Sequence, residues 1–324
     1  MKKLIMVLLL IIVLLISCSN TYFNQETFFS FDTVINITLF NDKDGEKHIN
    51  EIKNIFNEYS RYSSDYNGYN NSSIYDLNQN REISANEKLK DMLIEATKLK
   101  DKTNGYFNPF IGRLSHIWKD VISNNMNKKP KDLPSDEVIK NELKIMNETS
   151  LVFDNDKIKL NGEGNIDLGA FAKGYVCNIV YEYLVLNNIK EYLIDAGNSM
   201  VLIGDNVSNV YLRKPKTNKN YAFAKINNIA ISTSSSEHQY FIKDNVEYHH
   251  LISPFTGYPV NNYEAVSVFT NDIISSDALS TAIYLMDFEY AKKYISDNNL
   301  KAILYKEKVI YKSGGMEYAE EIQI

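Results

Sequence analysis

Two acids, one lysine, one threonine and a histidine pair carry most of the chemistry that this chain can offer. Asp167 and Lys173 stand in Glu163-Gly-Asn-Ile-Asp-Leu-Gly-Ala-Phe-Ala-Lys-Gly174, a stretch crowded with small residues. Glycine lets a ligand or a metal approach the backbone closely. The apolar run from Tyr175 to Leu186 reads as a helix, so the small residues fall at a loop-to-helix junction, where unpaired N–H groups favour anions such as phosphate. A tight turn with Asp167 as helix N-cap explains the same residues, and both readings stay open here. Asp277 and Thr281 lie four apart at the start of another predicted helix, so their oxygens share a face. An acid and a hydroxyl suit a hard cation such as Mg²⁺; helix capping at a surface is the alternative. His249-His250 precedes the turn Pro254-Phe-Thr-Gly-Tyr-Pro259. Such a histidine is either a structural hydrogen-bonder or, beside phosphate and metal, a proton acceptor.

The elements that must position these residues follow from periodicity. Residues 28–40 (FFSFDTVINITLF) alternate apolar and polar and predict one strand. A helix starts at Asp44 or Gly45 and carries Ile49, Ile52, Ile55 and Phe56 at helical spacing. A polar loop is expected over Tyr59–Asn71, a short helical turn over Ser72–Asn78, and an amphipathic helix over Lys88–Lys100. The turn Thr103–Pro109 leads into Ile111–Trp118, and residues 123–137, with two prolines, read as a surface excursion. Leu151–Phe153 and Lys157–Leu160 form a hairpin. Glu191–Ile203 is a strand pair around Ala196-Gly197-Asn198. Val210–Leu212, Ala222–Ile226, Ile229–Ser232 and Ala265–Phe269 are further strands, and Ser275 or Ser276 caps the helix of Asp277. A helix, two strands and an acidic tail follow. Strands and helices without a regular βαβ rhythm predict an α+β fold with mostly antiparallel sheets and packed helices.

The 324 residues, 44% hydrophobic, suffice for one large domain or two intertwined ones. A net charge of −6 with no internal basic run argues against nucleic acid as a partner. Lys2 and Lys3 precede an apolar run, Leu4–Ile16, too short to span a bilayer comfortably and expected to be a signal-peptide core. Leu15-Ile-Ser-Cys18 resembles a lipobox, whose cysteine is diacylated and becomes the first residue of the mature protein. An ordinary signal peptide with a chance cysteine is the other reading. The division expected is a signal at 1–17, a lipidated N-terminus and polar tether at 18–27, and a catalytic domain at 28–324. The remaining cysteine, Cys177, has no disulfide partner in the mature chain and reads as a buried small hydrophobe. No zinc site of Cys/His type is visible.

Taken in order, six segments resemble the FAD:protein FMN transferases, the ApbE family: Phe29–Thr33, Ser73–Asn78, Thr103–Pro109, Asn165–Gly174, Tyr248–Pro259 and Ser276–Ala282. The resemblance implies a single compact T-fold-like domain, its active site in a cleft between two lobes. It implies Mg²⁺-dependent transfer of FMN from FAD to a Thr or Ser hydroxyl of a carrier flavoprotein, with release of AMP. In this family's terms, Asp277, Thr281 and the carbonyl of Ala170 hold Mg²⁺. Phe31, Asn78, Tyr106, Phe107, Asn108, Asp167 and Lys173 contact FAD, as does His250, which also accepts the hydroxyl proton. The lipid at Cys18 would fix the protein to a cell membrane, facing the periplasm or the exterior.

Four positions depart from the family pattern: Asn108, Asn198 and Ser253 stand where acids are expected, and Ser235 where a glycine is. Hydrolysis of FAD to FMN and AMP, and plain FAD binding by a lipoprotein, therefore stand beside transfer as expected activities.

Overall fold

The computed structural model describes residues 22–129, 131–154, 156–237 and 239–322. The expected signal segment and Cys18 lie outside them. β1 (Phe23–Ser30) and β2 (Thr33–Phe40) pair antiparallel from Phe23↔Phe40 to Ser30↔Thr33. Strand structure thus starts inside the expected tether, and residues 28–40 form a hairpin turn and two strand segments instead of one strand. The reversal is made by Phe31 and Asp32, at φ 51° and 55°, as a two-residue hairpin turn requires.

The helix-rich part follows: α1 (Gly45–Ser63), α2 (Ile74–Asn80), β3 (Glu82–Ser84), α3 (Glu87–Lys102), α4 (Gly112–Met126) and α5 (Asp136–Glu148). α1 runs past Tyr59, where a loop was expected, because Tyr59 and Tyr62 continue the buried stripe of Ile49, Ile52 and Phe56. α4 likewise continues past Trp118, burying Val121 and Ile122. α5 is an element the polar, proline-bearing segment concealed. Its cap, Ser135, accepts from the Val138 N–H at 3.3 Å, and Ile139 and Met146 anchor it.

β4 (Ser150–Asp154) and β5 (Lys157–Asn161) form the expected hairpin, which β3 extends to three strands. Beyond the glycine-rich segment come α6 (Ala172–Leu186), β6 (Tyr192–Ala196), β7 (Met200–Ile203), β8 (Ser208–Arg213), β9 (Asn220–Ile226) and β10 (Ile229–Ser235). The chain closes with β11 (Tyr240–Lys243), β12 (Val246–His249), β13 (Ala265–Thr270), α7 (Ile273–Leu285), α8 (Phe288–Asp297), β14 (Lys301–Lys306), β15 (Lys308–Lys312) and β16 (Ala319–Glu321).

The centre is an eight-stranded sheet, ordered β1-β2-β6-β7-β10-β13-β14-β15, with every neighbouring pair antiparallel. One face packs against the helices: Ile35, Ile37, Ile194, Leu202, Ala230 and Val266 join Phe56, Val180 and Leu279 in one buried core. The other face, through Ile203, Ile231 and Phe269, packs on the three-stranded sheet β16-β9-β8 in a smaller core. The two-residue period of a strand makes this division. In β10, Ala230 faces the helices and Ile231 the small sheet, so Ser232 and Ser234 must lie on the helix side. The α+β architecture with antiparallel sheets is as expected. Among the described residues, no helix is long and apolar enough to cross a membrane.

Candidate active site

The glycine-rich segment is immobilised before it is functional. Asn78 donates to the Ile166 carbonyl at 2.9 Å and accepts from the Ile166 N–H at 2.8 Å. Arg81 donates to the carbonyls of Gly162 and Gly164 at 2.7 and 2.8 Å. Gly112 N–H reaches the Asn165 carbonyl at 3.0 Å. A Cβ on Gly112 would come within 2.7 Å of that oxygen, so only glycine permits the approach. Asp167 N–H donates to the Pro109 carbonyl at 2.9 Å, tying the segment to the aromatic turn before α4.

Asn78, expected at the ligand, is placed by the structure behind the loop. It is buried and its amide is engaged with the loop backbone; it lines neither chamber of the cleft described below. Its contribution is to shape the loop, and Arg81, which carried no recognisable motif, assists it.

Asp167 is not an N-cap either. α6 begins at Ala172, and Phe171 at its cap position gives no side-chain hydrogen bond. The Asp167 carboxylate instead accepts from the Gly169 N–H at 2.7 Å, Ser115 Oγ at 2.6 Å and Lys119 Nζ at 3.1 Å. Burial favours its neutral form, but the Lys119 ammonium and these hydrogen bonds outweigh burial and hold the carboxyl well below the usual carboxylate range. Lys119 also meets Asp65 at 3.4 Å. Ser115 and Lys119, four apart on α4, went unread because a polar pair at that spacing is ordinary helix surface.

α7 carries Asp277 and Thr281. Its cap is Asp272, whose carboxylate accepts from the Ser275 N–H at 3.3 Å and Ser275 Oγ at 2.7 Å. Neither Ser275 nor Ser276 caps it, and Asp277 falls a turn deeper than expected. α6 and α7 cross closely at Gly174, where a Cβ would lie 3.1 Å from Asp277 Cβ and 3.2 Å from the Ile273 and Ile274 carbonyls. This crossing brings Lys173 Nζ to 3.9 Å from Asp277 Oδ2.

Asp277 Oδ1 accepts from Ser232 Oγ at 3.3 Å. Ser232 and Ser234 both reach Ser280 Oγ, at 3.1 and 2.8 Å, and Ser234 reaches Thr281 Oγ1 at 3.0 Å. Three serine hydroxyls thus link the acid to the threonine. Asp277 Oδ2 is buried with no hydrogen-bond partner, a costly state for a carboxylate oxygen unless something else meets it.

The two histidines divide their roles. His249 Nδ1 accepts from the Leu251 N–H at 3.1 Å and its Nε2 lies 3.1 Å from the Val260 carbonyl, so both ring nitrogens are engaged. His250 lines the cleft and its Nδ1 is buried without a partner. Burial, then the neighbouring His249, push its pKa down to about 4, with Lys173 and Lys119 adding to the effect and the Gln239 main chain opposing it. At neutral pH His250 is an uncharged imidazole.

Above Asp277 opens one cleft of two chambers, about 670 and 880 Å³, that share Phe31, Asp32, Tyr66, Lys119, Asp167, Gly169 and Lys173. Tyr106, Phe107, Asn108, Ala170, His250 and Thr281 line the larger chamber. Tyr106 packs edge-on to Phe255 at 4.8 Å, and Phe107 lies 6.0 Å from Phe171.

The four unusual positions also resolve. Asn108 Oδ1 accepts from the Phe110 N–H at 3.0 Å, and Ser253 Oγ from the Phe255 and Thr256 N–H groups at 3.2 and 3.3 Å. Each does the turn-capping work of an acceptor, for which charge is unnecessary. Asn198 and Ser235 line a separate cavity of about 360 Å³ beside β8 and not the cleft.

Among the described residues, no group of three or more His, Cys, Asp or Glu could hold a metal ion. A smaller oxygen set of one carboxylate, one hydroxyl and one carbonyl suits Mg²⁺, which keeps several waters and takes oxygen from a substrate phosphate. The orphaned Asp277 oxygen fits such a cation.

An antiparallel α+β fold thus carries a two-chambered cleft with a glycine-rich loop, a lysine and an imidazole in its lining and, beneath it, a carboxylate oxygen without a hydrogen-bond partner. The chain belongs to the ApbE family, whose sequence model matches residues 31–304. A Vibrio cholerae relative named FAD:protein FMN transferase is 27% identical over 218 residues, 65% of this chain and 64% of that protein. A Haemophilus influenzae protein of the same name is 24% identical over 285 residues, covering 83% and 80%. Among solved structures, the Thermotoga maritima ApbE protein superposes with a TM-score of 0.75 at 21% identity, covering 87% of this chain and 94% of that one. The Vibrio cholerae flavin transferase ApbE gives 0.74 at 20%, covering 92% and 99%. At these identities the structures share the fold.

Proposed function

We propose that the protein transfers FMN from FAD to a Thr or Ser hydroxyl of a carrier protein and releases AMP. One observation carries this reading. Two buried polar atoms have no hydrogen-bond partner: His250 Nδ1, on a residue that lines the cleft, and Asp277 Oδ2, beneath it and 3.9 Å from the Nζ of Lys173, which also lines the cleft. They answer the two needs of a phosphoanhydride attacked by an alcohol, charge neutralisation and a proton acceptor.

Lys173 would face the diphosphate. Neutral His250 would take the proton from the carrier hydroxyl as its oxygen bonds to the FMN phosphorus. The phosphorus–oxygen bond to AMP then breaks, and AMP leaves with that electron pair. Asp277, Thr281 and the Ala170 carbonyl would hold Mg²⁺, which when bound supplies Lewis-acid neutralisation of the diphosphate. Asp167, ionised by its partners, would accept a hydrogen bond from the ligand's sugar or ring. The carrier residue must sit on an exposed loop, because its oxygen has to reach the phosphorus in line.

The test is incubation with FAD, Mg²⁺ and a carrier bearing an exposed Thr segment. Mass spectrometry of the carrier reads the FMN adduct, and chromatography reads AMP. An adduct lost in His250→Ala and Asp277→Ala supports transfer. AMP without adduct on any carrier points to FAD hydrolysis, and intact FAD throughout to a binding protein. For the N-terminus, we propose a lipid anchor at Cys18 on the strength of the lipobox-like sequence. Labelled palmitate incorporated by the wild type and not by Cys18→Ser is the expected result, and equal incorporation would refute it.

A further inference from the structure

We propose that the outer edge of β1 is the docking site of the flavin-accepting protein, which adds an extended segment there as a further strand and lays side chains on Phe29 and Val34. The inference rests on the transfer reading above and gives the protein acceptor of that reaction a place to sit. The small sheet covers the central sheet only in part. Their shared core takes Ile203, Ile231, Phe269 and Ile303 from β7, β10, β13 and β14, and, among the described residues, none from β1 or β2. Residues of β1 and β2 that face away from the helices therefore meet solvent. Phe29 is 67% and Val34 48% exposed, and the two stand opposite each other in the ladder. Phe29 lies two residues before Phe31, which lines both chambers, so about 7 Å of strand separates this apolar pair from the cleft.

The edge itself is unguarded. β1 ends the central sheet, and among the described residues no strand pairs with its outer side. Exposed edges are ordinarily blunted by lysines, prolines, bulges or shortness, because their free N–H and C=O groups capture extended chains. The opposite edge, β15, is five residues long, begins and ends on exposed Lys308 and Lys312, and pairs with β14 through an irregularity at Leu304–Tyr305. β8, an edge of the small sheet, has one at Leu212–Arg213. β1 runs eight residues, FNQETFFS, with no proline, no lysine and an unbroken register, and its one charge, Glu26, is taken by Lys53 of α1.

A protein acceptor must bring a hydroxyl into the cleft, which asks for an extended segment held beside the mouth. A strand added to β1 gains main-chain hydrogen bonds whatever its sequence, and Phe29 with Val34 selects apolar side chains at alternate positions. Such a strand runs along β1 to the Phe31 end, where the chain leaving it stands beside the cleft. A small solute has no use for eight residues of sheet edge, so the surface fits a polypeptide.

The experiment measures FMN transfer by the full chain against rising concentrations of the carrier that takes the adduct in the assay above. The variants are Phe29→Asp, Thr27→Lys, which puts a blocking charge on the edge, and Tyr211→Asp, an exposed aromatic on β8 as control. Both β1 variants should raise the carrier KM about tenfold or more, the order of an interface hot spot, with kcat at saturation and FAD affinity in EDTA near wild type. Tyr211→Asp should keep the wild-type KM. Amides of residues 23–30 that exchange in the free chain should gain protection from a carrier whose accepting residue is replaced by Ala. Unchanged KM in either β1 variant would overturn the inference, as would an equal rise in Tyr211→Asp. A fall in FAD affinity in step with KM would mark an effect through Phe31 and overturn it too. Full protection of residues 23–30 without carrier would show the edge already covered, by this chain or, if protection grows with protein concentration, by a second copy, and would also overturn it. A wild type that modifies no carrier would sink the transfer reading, and the docking site with it.

Discussion

His250, in the cleft, and Asp277, beneath it, each carry a buried atom without a hydrogen-bond partner, and their substitutions should separate binding from chemistry. His250→Gln should lower FMN transfer roughly a hundredfold or more, the usual worth of a positioned base, while calorimetry finds FAD affinity within a few-fold of wild type. A parallel loss of affinity would make His250 a ligand contact and not the proton acceptor. The folded His250 pKa of about 4 lies below the ordinary imidazole value of about 6.5. Between these values the unfolded chain takes up a proton that the folded chain refuses, so stability falls as pH drops through this window. Urea midpoints should therefore fall less steeply on acidification in His250→Gln, a difference approaching roughly 3 kcal/mol at the acid end. Much of the site was legible at this scale, since Asp167, Lys173, His250 and Thr281 meet in one cleft and Asp277 lies beneath it. Lys119, Ser115 and Arg81 were not legible, because each acts across a fold contact; the first two look like solvated helix residues and Arg81 like an ordinary cation after a short helix. Serines 232, 234 and 280 were visible as residues, but their convergence depends on β10 facing α7, which no local pattern reports.

At the scale of elements, the approach of α6 to α7 sets the distance between Lys173 and Asp277. Gly174→Val would push the helices apart, since even a Cβ lands at 3.1 to 3.2 Å from its neighbours. Overpacking of this kind costs about 1–3 kcal/mol, so a lowered melting temperature with loss of transfer is expected, and unchanged activity would show that the crossing tolerates slack. Asn78→Leu should also destabilise, by about 1–3 kcal/mol, because the Ile166 N–H and carbonyl lose their partners in a buried place. Its FAD affinity should fall only as far as the loop loosens, which amide exchange at residues 162–169 would report. Helix and strand types were largely readable from period. Their ends were less so: the left-handed pair Phe31–Asp32 contains no glycine to announce a turn, and Asp272 precedes the serines that looked like the cap. α5 hid behind a proline-bearing stretch because only Ile139, Leu143 and Met146 mark its apolar side.

For the whole molecule, ligand binding should register as stability. A ligand at a hundred times its Kd adds about 2.7 kcal/mol to a folded state that alone binds it. FAD with Mg²⁺ should therefore raise the melting temperature more than FAD in EDTA does, and Asp277→Ala should erase the difference; equal shifts with and without EDTA would refute the cation site. The antiparallel α+β class followed from the lack of βαβ rhythm, but the strand order did not, because β2 pairs with β6 across the whole helix-rich segment. The first described hairpin also ties the edge of the central sheet to the cleft. β1 runs from Phe23 to Ser30 and hands directly to Phe31, which lines both chambers. Eight extended residues span about 27 Å at 3.4 Å each. β1 is therefore a strut: its cleft end lies about that far from Phe23, and a proline within it, by breaking its pairing with β2, should loosen Phe31 as well as the sheet edge, which amide exchange at residues 31–33 would report.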